Sequence, residues 1–213
     1  MIISHKHKFI FIKTHKTASS SVEVDLSSKC ADTDVITTLD PVEKNHFPRN
    51  FKGYKNHMTI KKIKDELKNT KIFNSYFKFC VEREPVDKLL SYFYWKNRNS
   101  LIFEKEIDFV WESFIFKLYP NNWNLYHWTI DGELSVNKIL RYENLKQELK
   151  ETCKNLGFDL ELTAKAKTSI RKDKVVLPIP NITNKQIEQI YKNWEISNRF
   201  TGYKIEDCKY YEN

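Results

Sequence analysis

Glycine is scarce in this chain: four residues in 213, at Gly53, Gly132, Gly157 and Gly202. None of the four stands in the run from Lys16 to Ser21, which is therefore not the glycine-rich G-x-x-x-x-G-K-[ST] loop of nucleoside triphosphate enzymes. With Lys, Asn and Ile plentiful, the bias is that of an AT-rich coding sequence rather than a fold signal. The four cysteines, Cys30, Cys80, Cys153 and Cys208, form no C-x-x-C pair, which removes zinc spacing and leaves a disulfide framework sparse for the length. Free thiols are expected, with Cys80 a buried small hydrophobe inside an apolar run. Long hydrophobic runs are missing too. Met1 to Lys8 is polar and histidine-bearing, and Phe9-Ile10-Phe11-Ile12 is too short for a secretory or membrane segment. A cytoplasmic protein with no membrane span is the expectation.

Positive charge is not lacking. Thirty-six Lys and Arg against 28 Asp and Glu give a net charge of +8, which points to anionic partners: nucleic acid, a membrane surface, or phosphorylated and sulfated small molecules. A well-solvated lysine surface explains the same number, so a site has to decide. Composition is that of a globular chain, and 213 residues suit one domain, 1–213.

Strand and helix patterns alternate along the chain. Lys8–Ile12 reads as a buried strand, followed by a polar loop to Ser21 and a helix. Asp32 to Gly53 is irregular, with room for a short strand around Val35–Leu39. Ile60, Ile63 and Leu67 share a helical face. Tyr76 to Val81 reads as a second buried strand, and Pro85 opens a helix whose inward positions are Val86, Leu89, Leu90 and Phe93. Phe103 to Trp128 is aromatic and mostly helical in pattern. Val136 to Arg141 suggests a third strand before a helix with Leu145, Leu149 and Leu156 inward. Thr183-Asn184-Lys185-Gln186 fits a capping box for a last helix facing Ile187, Ile190, Tyr191 and Trp194 inward. The fold class that follows is α/β, a mainly parallel sheet flanked by helices.

Two segments have the chemistry of anion sites. Lys16-Thr17-Ala18-Ser19-Ser20-Ser21 follows a buried strand and precedes a helix, where unpaired N–H groups and the helix dipole favour an anion, small residues permit close approach and a lysine neutralises charge. A serine-rich helix cap with a surface lysine is the plainer reading. Arg83 ends the second strand and Ser91 follows on the next helix; guanidinium and hydroxyl together suit phosphate oxygens. The plainer reading there is an arginine paired with Glu82 or Glu84. Two anion elements, each at a strand exit, fit a ligand with two separate phosphates.

At these residues the chain resembles the sulfotransferases that use 3′-phosphoadenosine 5′-phosphosulfate (PAPS), and in particular their carbohydrate branch, which includes heparan sulfate 2-O-sulfotransferase. His15-Lys16-Thr17-Ala18-Ser19-Ser20-Ser21 is similar to the family's 5′-phosphosulfate loop P-K-T-[GA]-[ST]-[ST]-[ST]. Val81-Glu82-Arg83-Glu84-Pro85-Val86-Asp87-Lys88-Leu89-Leu90-Ser91-Tyr92-Phe93 is similar to the 3′-phosphate motif V-R-[DE]-P-V-x-R-x-x-S-x-[YF]. His15 departs from the usual proline, and Glu82 intervenes before Arg83. Arg141-Tyr142-Glu143-Asn144-Leu145 resembles a further R-Y-E-[DN]-L segment, and Ile170-Arg171-Lys172 the C-terminal cofactor loop. The resemblance implies a P-loop-like sulfotransferase fold with PAPS as co-substrate. Lys16 would stabilise the leaving group, Thr17, Ala18, Ser19 and Ser20 would cradle the 5′-phosphate, Arg83 and Ser91 would hold the 3′-phosphate, and Arg171 and Lys172 would bind the cofactor.

Sulfuryl transfer to a hydroxyl needs a base, and histidine suits it. Of the six histidines, His57 matches the position of the branch's catalytic histidine, with His46 as the alternative and a structural cap for the helix at Thr59 as the plainer role. No metal is implied. The partner expected is a glycan or other hydroxyl-bearing acceptor, with Trp95, Lys96 and Arg98 the cluster suspected of facing it. Tyr92, Tyr94, Trp111, Trp123 and Trp128 read either as core or as a ligand surface. Two rivals stand beside this reading. A nucleotide phosphotransferase would want a glycine-rich loop and a metal-binding acid; a nucleic-acid-binding module would want a concentrated basic stripe, where the lysines here are dispersed among acids.

Overall fold

The structure is a computed structural model that describes residues 1–98, 106–118, 122–166 and 178–212. The chain divides into two compact units, Met1–Glu82 with Asn124–Thr168, and Arg83–Trp123 with Ser169–Asn213. Its strands are β1 (Ile2–Ser4), β2 (Phe9–Phe11), β3 (Val35–Ile36), β4 (Phe77–Glu82), β5 (Thr129–Ile130), β6 (Glu133–Leu134) and β7 (Lys138–Arg141). The helices are α1 (Ser19–Ser27), α2 (Ile60–Leu67), α3 (Thr70–Ser75), α4 (Pro85–Lys96), α5 (Ile107–Leu118), α6 (Leu125–Trp128), α7 (Leu145–Asn155), α8 (Asn184–Asn193) and α9 (Glu195–Thr201).

The first unit holds a five-stranded sheet in the order β3-β1-β2-β4-β7. β2, β4 and β7 pair parallel, while β1 is antiparallel to both β2 and β3. Four strands therefore point one way and β1 the other, which makes the sheet mostly parallel. The central strands are buried on both faces, so they read as continuous apolar runs. Phe9, Phe11, Phe79, Val81 and Leu140 pack with Val22 and Leu26 of α1 and with Leu145, Leu149 and Cys153 of α7. The alternate residues Ile10, Ile12 and Cys80 are equally inaccessible. β1 corrects the sequence reading, which took Met1 to Lys8 as a polar terminus: Met1, Ile2 and Ile3 have no exposed surface. Among the described residues, no helix is long and apolar enough to cross a membrane.

In the second unit Val86, Leu89, Leu90 and Phe93 of α4 share a core with Trp111 and Phe114 of α5 and with Ile187, Ile190 and Trp194 at α8. Pro85 occupies the first turn of α4, and the capping box at Thr183 forms in full, with Gln186 N–H donating to Thr183 Oγ1 at 3.3 Å and Thr183 N–H donating to Gln186 Oε1 at 3.2 Å. Trp111 is core, as is Trp128 in the first unit. All four cysteines are free thiols. Arg171 and Lys172 lie outside the described residues.

One feature of α1 runs against ordinary core composition. Glu23, with no exposed surface, lies 2.9 Å from Lys13 Nζ and 2.8 Å from the Met1 amine, and accepts from Thr37 Oγ1 at 3.0 Å; His46 Nε2 stands 3.7 Å away. Burial alone would raise its carboxyl, but the Met1 amine, His46 and Lys13 outweigh that and hold it well below the ordinary carboxylate range. Removing one partner of a buried pair strands the other charge, so Glu23→Gln should lose about 3 kcal/mol of unfolding free energy in urea titrations at pH 7. A depressed carboxyl stabilises fully above its unfolded value, about 4.3, and loses that contribution as pH falls. The wild type should thus lose stability more steeply than the glutamine variant as pH falls below about 4.3.

Candidate active site

The phosphate-loop candidate begins where β2 leaves the sheet. The parallel ladder ends with Ile12 N–H donating to Phe79 O at 2.9 Å. The next carbonyl of β4 on that side, Val81 O, takes its hydrogen bond from the Thr14 hydroxyl at 2.5 Å instead of from backbone. Thr14 Oγ1 also meets Thr17 Oγ1 at 2.8 Å and Ser19 Oγ at 3.2 Å, and Ser19 Oγ donates back to Thr14 O at 2.9 Å. These hydroxyls are buried. Thr17 and Ser19 thus spend their side chains inward, knitting the turn, and offer an anion only their backbone N–H groups.

That inward knot shapes the start of α1. Lys16 and Ala18 both take left-handed backbone angles, with φ of 63° and 57°. The Ala18 N-cap provides no side-chain hydrogen bond, and the first turn has no acidic residue. The N–H groups of Ala18, Ser19 and Ser20 have no acceptor among the described residues, so the positive end of the helix is uncancelled. Ala18 is exposed, and Lys16 and Ser20 are half-buried beside it. A serine cap, the plainer reading, is not what forms.

His57 sits against this loop. Its ring stacks on His15 with centroids 3.8 Å apart and planes 10° from parallel, while His127 meets His15 edge-on at 5.2 Å. Nδ1 of His57 lies 3.2 Å from Lys13 O; a carbonyl only accepts, so Nδ1 bears the proton and Nε2 the lone pair. Nε2 has no partner among the described residues and is not sealed from solvent. The His57 backbone is left-handed at φ 55°, and its carbonyl accepts from His127 Nε2 at 3.1 Å. Burial, then the neighbouring His15, Lys13 and His127, push its pKa down to about 2. The capping role fails: the α2 N-cap, Thr59, makes no side-chain cap bond, and the His57 ring is engaged elsewhere. His46 is closed off beside Glu23, with a side chain 1% exposed, so of the two histidines His57 has the reachable nitrogen.

No protein-family model, curated protein or solved structure matches the chain.

Sequence reasoning passed over Asn124 and His127. Asn124, fully buried, accepts from His15 N–H at 3.0 Å and donates to His15 O at 3.1 Å, pinning both sides of that residue from far along the chain. The only local trace was the Asn-x-x-His spacing of a single helical turn. The intervening Glu82 also has an account: it is the last residue of β4, 1% exposed, and its Oε1 accepts from the Trp128 indole at 3.1 Å.

Within the second unit, Arg83 pairs with Asp87, Nε donating at 2.6 Å and Nη2 at 2.5 Å. Asp87 and Ser91 are one turn apart on α4, so this pair draws Arg83 to the helix face bearing Ser91. Lys209 Nζ adds a cation 3.5 Å from Asp87 Oδ1. The N-terminus of α4 is already spent: Glu84, whose carboxyl burial pushes up, accepts from Val86 N–H at 2.9 Å, Asp87 N–H at 2.7 Å and the Tyr191 hydroxyl at 2.9 Å. Unlike α1, α4 can offer an anion side chains only. Arg98 lies over the Trp95 ring at 4.6 Å, and Trp95 is 42% exposed. The 550 Å³ cavity beside α5 and α8 bears Asp108 and Glu112 on its wall and none of the predicted site residues.

Because the fold keeps the His57 ring neutral while an unfolded chain protonates it below about pH 6.5, folding stability should drop as pH falls through that value. Imidazole carbon-bound proton shifts recorded from pH 8 to pH 5 should stay flat for His57; a titration midpoint near 6.5 would contradict the packing described.

Proposed function

We propose that this chain is a PAPS-dependent sulfotransferase, moving a sulfuryl group onto a hydroxyl of an acceptor, a carbohydrate by its resemblance to that branch. What carries the reading is the uncapped, acid-free N-terminus of α1 beside Lys16, with the open nitrogen of His57 adjoining the same loop through His15. An anion at α1 would satisfy donors that the described residues leave without acceptors, which is the test of fit that a 5′-phosphosulfate has to pass.

PAPS supplies the sulfuryl group, which passes to the acceptor oxygen as the sulfur–oxygen bond to the 5′-phosphate breaks. His57 Nε2 receives the hydroxyl proton as the new bond forms. Lys16 and the first-turn N–H groups take up the charge left on the phosphate oxygen. Arg83 and Ser91 present the guanidinium and hydroxyl donors that a 3′-phosphate requires, and Arg83 would exchange or share Asp87 to do so.

The depressed basicity of His57 fits a site that is ready for an anion. With only cationic and imidazole neighbours the ring is a weak base; a doubly charged phosphate beside Lys16 raises it toward the range where proton transfer is effective. Ligand binding and base activation are thereby coupled.

Calorimetry with adenosine 3′,5′-bisphosphate, with ATP and 5′-AMP as controls, tests the reading. The bisphosphate should bind most tightly. Arg83→Ala and Lys16→Ala should each weaken it by about 10- to 100-fold, the loss of one charge-assisted contact. His57→Ala should bind the bisphosphate as well as wild type yet lose turnover with PAPS. A preference for ATP would instead move the protein to the phosphotransferases.

A further inference from the structure

Three histidines meet at the loop, and the proposed transfer employs only one. We propose that His15 is a positioning residue whose imidazole face holds the His57 ring in the one orientation and tautomer that leaves Nε2 open. This rests on His57 being the base.

A half-buried imidazole attached to a left-handed residue has two side-chain torsions to settle, and one hydrogen bond, at 3.2 Å, does not fix a ring plane. Rotation about the bond to Lys13 O would swing Nε2 away while keeping the bond. The stack removes that freedom: with planes 10° apart and centroids at 3.8 Å, turning the His57 ring drives its edge into the face of His15. A flip that exchanged the two nitrogens' roles would lose the Lys13 bond as well.

His15 is in turn immobilised. Asn124 grips its N–H and its C=O, and His127 meets its ring edge-on while bonding the His57 carbonyl. His57 is thus fixed at three points: ring edge by Lys13 O, ring face by His15, backbone by His127. Of these, only the His15 contact restrains the ring plane. The role needs a flat ring rather than an ionisable one, and this separates it from an electrostatic role or a proton relay; the parallel stack brings no N–H of His15 into line with a nitrogen of His57.

The test compares His15→Phe, which keeps a flat ring, with His15→Ala and His15→Leu, which do not; all three retain the backbone groups that Asn124 binds. Long-range nitrogen–proton spectra of the full chain report each histidine tautomer without any substrate. Wild type and the Phe variant should show His57 protonated at Nδ1 alone, while the Ala and Leu variants should show averaged nitrogen shifts. With PAPS and an acceptor glycan found by panel screening, kcat should fall about tenfold in the Ala and Leu variants and be restored by Phe, with bisphosphate affinity unchanged. A His57 tautomer that stays fixed in both the Ala and the Leu variant overturns the proposal. So does failure of Phe to restore it. If the bisphosphate does not bind even the wild type, the sulfotransferase reading falls, whereas the tautomer spectra test the role of His15 on their own; should the alanine variant not fold, the leucine variant answers the same question.

Discussion

A carboxylate without water needs donors and opposing charge, and Glu23 finds them in the segments that build the loop. It draws in Lys13 at the exit of β2, the Met1 amine at the start of β1, and His46 from the irregular stretch beyond β3. Lys13 therefore turns its ammonium toward the interior, away from any ligand, and its carbonyl becomes the acceptor that orients His57. The next residue, Thr14, closes the sheet edge by capping Val81 O. A one-residue shift of the chain at this point would break the ion pair, the cap and the histidine bond together. Such coupled dependence is how a buried charge that adds little net stability can still specify one arrangement.

The same economy of donors separates the two helix starts. At α4, Glu84 consumes the backbone N–H groups, and what remains for a ligand is a guanidinium, a hydroxyl and Lys209 gathered around Asp87. At α1, nothing among the described residues consumes them. An arginine held by an aspartate can be traded to a phosphate at modest cost because both are charge-assisted bonds of similar strength. Bare helix donors have no such competitor, which makes α1 the stronger of the two elements.

Much of this was legible in the sequence because it is local. The run Tyr76 to Val81, the proline-started α4 and the capping box at Thr183 each carry their signal within a few residues, and each forms within a residue or two of its expected bounds. β1 was hidden because two apolar residues in a histidine-rich stretch give no period to read; it is a strand only because β2 and β3 flank it. The clamp from Asn124 and His127 was beyond reach for the same reason, since its partners lie far apart in the chain. Arg83 also pairs with Asp87, four residues on and one helical turn away, a partner the sequence reading did not weigh; meanwhile a strand end turns Glu82 inward to Trp128 and Glu84 caps α4. The resemblance to sulfotransferase motifs supplied roles that no periodicity contains.

Glycine scarcity has a structural counterpart at the site. Of the seven non-glycine residues with positive φ among the described residues, three are Lys16, Ala18 and His57. A side chain in the left-handed region costs about 1 kcal/mol or more relative to glycine, so the loop is strained at each. Glycine would relieve the strain but would widen the conformations open to the unfolded and the unliganded chain. It would also delete the lysine and the histidine themselves. The buried hydroxyl knot, the Asn124 grip and the stack on His15 are what hold these residues against their preference. The loop is thus held by its own contacts, and an anion that met it would have less ordering entropy to overcome.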